Sequence, residues 1–307
     1  MMFGFKDKFK YLQCGGCSCI QIIQIPENLG AYYPVEYFPN KDQKMGQSPL
    51  KRFLRHKRAE YCLTGSGLLG KLLVKKWGRP KSSIFGKPDY YQWLSQCGVT
   101  FSSKVLEVGC GYGILLLQLH NDGFTDLTGV DPFVKETVIH SKRLTILKDE
   151  IYNITGAFDF IMLHHTFEHL PEPVRVLQQL HRLLRSGCHL LIRIPLAGSF
   201  ACRTYGINWA QFDAPRHLFL HSIKSMKILA NQTGFDIAKV VFDSNDFQFW
   251  ASEQYLKGIP LYDKKSYMVN PGGAGYSQSQ ISEFSRRASE LNANGDGDSA
   301  CFYFLKR

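Results

Sequence analysis

The stretch Gly109-Cys110-Gly111-Tyr112-Gly113 constrains this chain more than any other. It follows a compact apolar run at 104–108 and leads into a helical run at 114–119. Three closely spaced glycines between a strand and a helix let the backbone turn tightly and let a ligand approach it closely. The strand and helix pattern then repeats. Further strands are predicted at 127–130, 144–147, 158–163, 189–194 and 237–242. A Pro-started helix covers about 172–185 and ends at Ser186-Gly187, and Ser222 caps another that Gly234 stops. Repeated strand-helix units make a doubly wound, parallel α/β sheet.

The flanks have a different character. Residues 1–48 read as an irregular, Cys-containing segment, and 49–82 as two short basic amphipathic helices, the first started by Ser48-Pro49. In the second, Leu68, Leu69, Leu72, Leu73 and Trp77 form a stripe opposite Lys71, Lys75 and Lys76. The sheet unit occupies 83–307, with a polar, Gly-rich insertion at about 245–299; the apolar 301–305 returns as a last edge strand. Charge is concentrated: 41–81 holds twelve Lys or Arg against Asp42 and Glu60, which is +10 of the net +11. One basic block points to one anionic docking surface, with peripheral contact to an anionic membrane expected and RNA as the alternative.

Hydrophobic residues at 44% and charged residues at 21% are those of a globular chain, which excludes disordered and collagen-like classes. No stretch reaches the roughly 20 apolar residues of a membrane span. The first residues carry lysines with no apolar run behind them, so no cleaved signal is expected. Nine scattered cysteines fit a reducing, cytoplasmic setting better than a disulfide framework. Cys14-Gly-Gly-Cys17 and Cys19 lack a second nearby pair, so zinc is not expected.

The ligand of the glycine turn can be narrowed. A dinucleotide turn needs a small residue at 114, where this chain has Ile, and Glu107 sets a negative charge where a pyrophosphate would sit. Asp131 ends the next strand, where a carboxylate accepts from ribose hydroxyls. The ligand therefore reads as an adenosine with no phosphate and a cationic tail.

With LEVGCGYG, GVDP, FDFIMLHHTFEHL and LLRSGCHLLIRIP in order, the chain resembles the class I S-adenosylmethionine-dependent methyltransferases, a Rossmann-like fold, over about 103–244 and 300–305. The resemblance implies that Glu107, Gly109, Gly111, Gly113 and His164 surround the cofactor, that Asp131 holds its ribose and that Asp149 lies near its adenine. A narrower resemblance, carried by residues 208–221 and DFQFWASEQYLKGIPL, is to methyltransferases of bacterial surface-polysaccharide clusters. It implies a saccharide or lipid-linked glycan acceptor, with Asn208, Trp209 and Arg216 as substrate contacts. The alternatives are an RNA methyltransferase and a non-catalytic cofactor-binding module.

Methyl transfer needs an aligned acceptor and a group to take its proton. His217 is the first candidate, on the loop after the fifth strand, followed by His165 and Glu168; His169 is expected to order its turn. His165-Thr-Phe-Glu168-His169 also matches a zinc-peptidase pattern, but Pro171 and Pro173 leave no room for the helix that chemistry needs, so no metal is assigned.

Overall fold

The computed structural model describes residues 2–33, 48–80 and 89–307. In chain order these form β1 (Tyr11–Gln13), β2 (Ile20–Ile22), α1 (Pro49–Thr64), α2 (Leu68–Trp77), α3 (Tyr90–Gln96), β3 (Lys104–Val108), α4 (Ile114–Asp122), β4 (Asp126–Val130), β5 (Val138–Ser141) and β6 (Leu144–Leu147). They continue with β7 (Phe158–His164), α5 (Pro173–Leu183), β8 (Leu184–Pro195), α6 (Phe200–Tyr205), β9 (Phe219–Leu220), α7 (Ile223–Gln232), β10 (Phe235–Phe242), α8 (Phe247–Leu256), α9 (Gln278–Ala293) and β11 (Ser299–Lys306).

Eight strands form one sheet in the order β10-β11-β8-β7-β3-β4-β6-β5. The five central strands, β6 to β8, are parallel. This is the doubly wound, Rossmann-like sheet that the alternation predicts, in the form the methyltransferase resemblance implies. Two apolar layers clamp it: Leu106, Ile161, Ile192 and Phe302 face α5 and α7, and Val105, Phe160, Leu191 and Tyr303 face α3 and α4.

Three features differ from the sequence expectation. β11 is not an edge strand; it pairs antiparallel with both β8 and β10. Ala300, Cys301, Phe302 and Phe304 are fully buried, and a strand apolar on both faces belongs inside a sheet. Ser186-Gly187 does not separate helix from strand, because β8 begins at Leu184 and absorbs the pair as an irregularity opposite Phe158 and Phe160. Residues 138–141, where no strand is predicted, form a strand of their own, β5, folded back antiparallel on β6.

The outer segments are anchored to this frame. Asp122, at the end of α4, accepts from Tyr90 Oη (2.9 Å), Tyr91 Oη (2.8 Å) and Arg55 Nε of α1 (2.8 Å). Helix α2 lies on α1 through Gly70, where an added Cβ would fall 2.3 Å from the Lys57 carbonyl oxygen and 2.6 Å from Tyr61 Cβ. That contact turns Leu73 inward and leaves Leu68, Leu69 and Leu72 exposed, on the lysine side rather than opposite it, with Trp77 half-exposed at the end of the helix. In the 245–299 region, Phe249 stacks on Phe284 (5.3 Å) and Trp250 meets Tyr267 (5.2 Å), so these aromatics pack α8 on its neighbours. Strands β1, β2 and β9 form a second, three-stranded sheet beside the carboxyl ends of the parallel strands.

Candidate active site

A cavity of about 470 Å³ opens at the carboxyl ends of β3, β4, β6 and β7, the edge where open α/β sheets bind ligands. Four layers of sequence meet there: the glycine turn (Gly109), the ends of β4 and β6 (Asp131, Phe133, Asp149, Tyr152), the turn after β7 (His165, Thr166, His169, Leu170), and the N-terminal segment (Ile25, Leu29, Tyr33).

The first turn is built for close approach. Gly109 has φ +70°, and a Cβ there would lie 2.3 Å from both Thr166 Oγ1 and Cγ2. Gly111 donates its amide to Asp131 Oδ2 (2.9 Å), and Phe133 donates to Asp131 Oδ1 (2.8 Å). Two amide donors hold the Asp131 carboxylate at the cavity wall with lone pairs remaining for a bound polyol. Gly113 caps α4 against Ile146 and stays behind the wall. Glu107 is buried beneath the turn, its Oε2 has no hydrogen-bond partner among the described residues, and burial, then the Asp131 charge, push its carboxyl up to about 8. Asp149 lines the far end, its carboxylate held low by hydrogen bonds from Asn153 Nδ2 (2.7 Å) and the Glu150 amide (2.8 Å). An orphaned buried carboxylate under a glycine turn, with a second carboxylate at the wall, fits an adenosine carrying a cationic tail.

The turn after β7 supplies the imidazoles. His165 adopts φ +50°, a conformation that a bulky side chain rarely takes outside functional sites. Its Nε2 accepts from Arg193, which can only donate, so Nδ1 carries the proton and faces Glu168 Oε1 at 3.4 Å. His169 Nδ1 donates to the Arg216 carbonyl (2.8 Å) and lies 3.0 Å from Tyr33 Oη, which leaves the lone pair on Nε2. Burial, then the neighbouring His217, lower its pKa to about 3, so it is neutral at working pH. Glu168 is fully buried, and burial raises its pKa to about 8. His217 is also buried, donates Nδ1–H to the Gln211 carbonyl (2.7 Å) and sets its Nε2 3.7 Å from Asp213 and 4.0 Å from Glu168. Glu168, His169 and His217 bring one ligand atom each within 4.8 Å of one another, a set able to hold a divalent cation that the sequence reading did not anticipate.

Among the residues named from sequence, Gly109, Asp131, Asp149 and His165 line the cavity. Glu107, Gly111 and Gly113 support its glycine turn. Glu168 and His217 do not line the cavity; the His217 ring lies 4.7 Å from that of His169. His164 is buried against Trp93 (4.3 Å) and does not reach the wall. The three substrate candidates are outside it. Trp209 is 0% exposed, packed with Ala201 and Leu220, and donates Nε1–H to Asp298 (2.9 Å). Asn208 ends the short 3-10 turn before it. Arg216 is buried, pairs with Asp213 (2.6 Å) and lies over the Phe3 and Tyr33 rings. The segment that carries the narrower resemblance thus builds the frame of the site.

The N-terminal wall was not legible in the sequence. Ile22 donates its amide to the Leu218 carbonyl (2.9 Å), and Tyr11 Oη to the His217 carbonyl (3.0 Å), which draws Ile25, Leu29 and Tyr33 over the site. The cysteines serve this segment: Cys14, Cys17 and Cys19 form its tight turn, with Cys19 Sγ 3.9 Å from His221 Nδ1, and all nine cysteines are free thiols.

Comparison with known proteins identifies the family. A family model described as "Methyltransferase domain" matches residues 54–240. The ubiquinone biosynthesis O-methyltransferase of Xanthomonas oryzae pv. oryzae is 28% identical over 186 residues, 55% of this chain and 77% of that protein. The protein of the same name from Acinetobacter baylyi is 27% identical over 139 residues, 38% of this chain. This chain spans only 56% of that relative's length. Among solved structures, phosphoethanolamine N-methyltransferase 2 of Haemonchus contortus in complex with S-adenosyl-L-methionine is similar at 15% identity and a TM-score of 0.47, over 81% of this chain and 60% of that one. The surface-polysaccharide resemblance finds no support in these relatives. The family match covers more than half of the sequence and includes the glycine turn, Asp131 and the His165–His169 turn, so the chain belongs to the methyltransferase-domain family.

Proposed function

We propose that the protein transfers a methyl group from S-adenosylmethionine to a hydroxyl of a small acceptor with an apolar body, and that His169 takes the hydroxyl proton. The observation that carries this reading is the shared cavity. It places the carboxylate end (Asp131, Asp149) and the imidazole end (His165, His169) under one wall of Ile25, Leu29, Tyr33, Phe133, Tyr152 and Leu218.

The bound cofactor supplies an already activated methyl group, so the residues have three tasks: hold it, align the acceptor and move one proton. Asp131, fixed by two amides, binds the ribose; Glu107 faces the cationic end from below. The apolar wall takes the acceptor's body and excludes water, which strengthens every polar contact inside. His169 presents Nε2 because the Arg216 carbonyl fixes the proton on Nδ1. Asp213, ionised beside Arg216, favours the positive charge that forms on it, against the burial and the His217 neighbour that hold its pKa near 3. His165 is oriented by Arg193 and Glu168 and shapes the floor. The names of the relatives support an oxygen acceptor, and the wall supports an apolar one.

The test is a methyl-transfer assay with isotopically labelled cofactor against three acceptors: a short-chain isoprenoid catechol, a nucleotide-linked hexose and a structured RNA. Label is expected in the catechol, and His169→Ala should lower that turnover by roughly 10² to 10⁴ with S-adenosylhomocysteine binding intact. Label only in the hexose would restore the glycan reading, and label only in the RNA would replace both.

A further inference from the structure

We infer that α1 and α2 together form a docking face for anionic lipid bilayers. The face arises from how the two helices pack. Because Gly70 lets α2 sit backbone to backbone on α1, the inward side of α2 is Gly70 and Leu73, and the outward side carries apolar residues that nothing among the described residues covers. Leu68 is 75% exposed, Leu72 55% and Leu69 40%, while Trp77, which ends α2 on the Gly70 side, is 51% exposed. Leu50 (67%) and Phe53 (49%) on α1 are exposed as well. Surface patches of this apolar content on a folded chain mark an interaction site.

The occupant follows from the charge around these side chains. At about 100° per residue, Leu68, Leu72 and Leu69 share one arc of α2, with Lys71 and Lys75 along one border and Lys76 within it. Residues 48–80 contain nine Lys or Arg and a single acid, Glu60, which is already paired with Lys57 (2.8 Å). Lys51, Arg52, Lys71, Lys75 and Lys76 are exposed and form no ion pair among the described residues. Leucines and a tryptophan among lysines match the boundary of an anionic bilayer, where the apolar side chains enter the acyl region and the ammonium groups meet lipid phosphates. Nucleic acid would satisfy the cations and leave the leucines in water. No helix among the described residues is long and apolar enough to cross a membrane, so the contact is peripheral.

The test is co-sedimentation of the full chain with vesicles of equal parts phosphatidylcholine and phosphatidylglycerol, against vesicles of phosphatidylcholine alone. Binding is expected to the anionic vesicles and to weaken with salt. Replacing Lys71, Lys75 and Lys76 with Gln should lower the partition coefficient by up to about 100-fold at low salt. Leu68→Ser with Leu72→Ser should lower it at every salt concentration, because burial of apolar area is not screened. Both variants change exposed side chains remote from the cavity wall, and S-adenosylhomocysteine binding should match wild type. Equal binding to neutral and anionic vesicles, or wild-type partition by both variants, overturns the inference. So does a chain that ignores vesicles but binds RNA with a steep salt dependence, or one that dimerises through this face. Vesicle binding is read without turnover, so its failure leaves the methyl-transfer reading standing.

Discussion

Substituting Ala at two glycines of the same turn should have different consequences. Both have positive φ, +70° at Gly109 and +53° at Gly111, so Ala costs about 1–2 kcal/mol of backbone strain at either. Their surroundings differ. At Gly111 an added Cβ meets nothing within 4 Å. At Gly109 it lies 2.3 Å from Thr166 Oγ1, 2.3 Å from Cγ2 and 2.9 Å from Cβ, so no rotation of the Thr166 side chain clears it. Forcing a methyl into such a contact costs about 1–3 kcal/mol more. Gly109→Ala should therefore destabilise by about 2–5 kcal/mol, and Gly111→Ala by about 1–2. Urea denaturation followed by tryptophan fluorescence measures both, provided the slopes agree with wild type. The contact also predicts coupling: with Thr166→Gly, Gly109→Ala should recover about 1–3 kcal/mol beyond additivity. Equal midpoints for the two Ala variants, or no coupling, would refute the claim that the glycine turn is packed on the His165–His169 turn.

Other outcomes follow from the buried acids. The Glu168 carboxyl titrates at about 8, against an ordinary 4.5, so the folded state holds a proton that the unfolded state has released between those values. Stability from this group is therefore lost as pH rises from about 4.5 to 8, by at most about 1.4 kcal/mol per unit. Glu168→Gln should flatten the decline in unfolding free energy between pH 5.5 and 7.5, and an unchanged slope would show that Glu168 ionises freely. Trp209→Phe removes the Nε1–H donor to Asp298 Oδ2, on a carboxyl that burial already raises to about 6. It should cost about 1–3 kcal/mol of stability with cofactor affinity unchanged; lost affinity without lost stability would return Trp209 to the site.

The central strands were legible because each is a short apolar run closed by turn residues, and the glycine turn because its backbone requires glycine. Asp131 followed from its place at the end of the next strand. What was missed depends on contacts distant in sequence. Nothing local in Ile20–Ile22 announces pairing with Phe219–Leu220, yet that pairing carries Ile25, Leu29 and Tyr33 over the cavity. The stretch at 208–217 looks like a binding motif because it mixes Trp, Arg and His; in the fold Trp209 is a buried residue that donates to Asp298, and Arg216 a buried one that pairs with Asp213. From sequence His217 ranks ahead of His169, and loop position alone does not show that His169, and not His217, lines the cavity. The leucines of α2 predicted an apolar face correctly, but Gly70, small enough to admit α1, decides which side is buried.

The most direct test of the account is calorimetric titration of the full chain with S-adenosylhomocysteine, repeated with Asp131→Ala. The account predicts saturable binding to the wild type without added metal, weakened roughly 10- to 150-fold by the substitution, the equivalent of about 1.5–3 kcal/mol for hydrogen bonds to a charged group. Tight binding of NAD with no heat from the adenosyl ligand, or an unchanged affinity in Asp131→Ala, would contradict it.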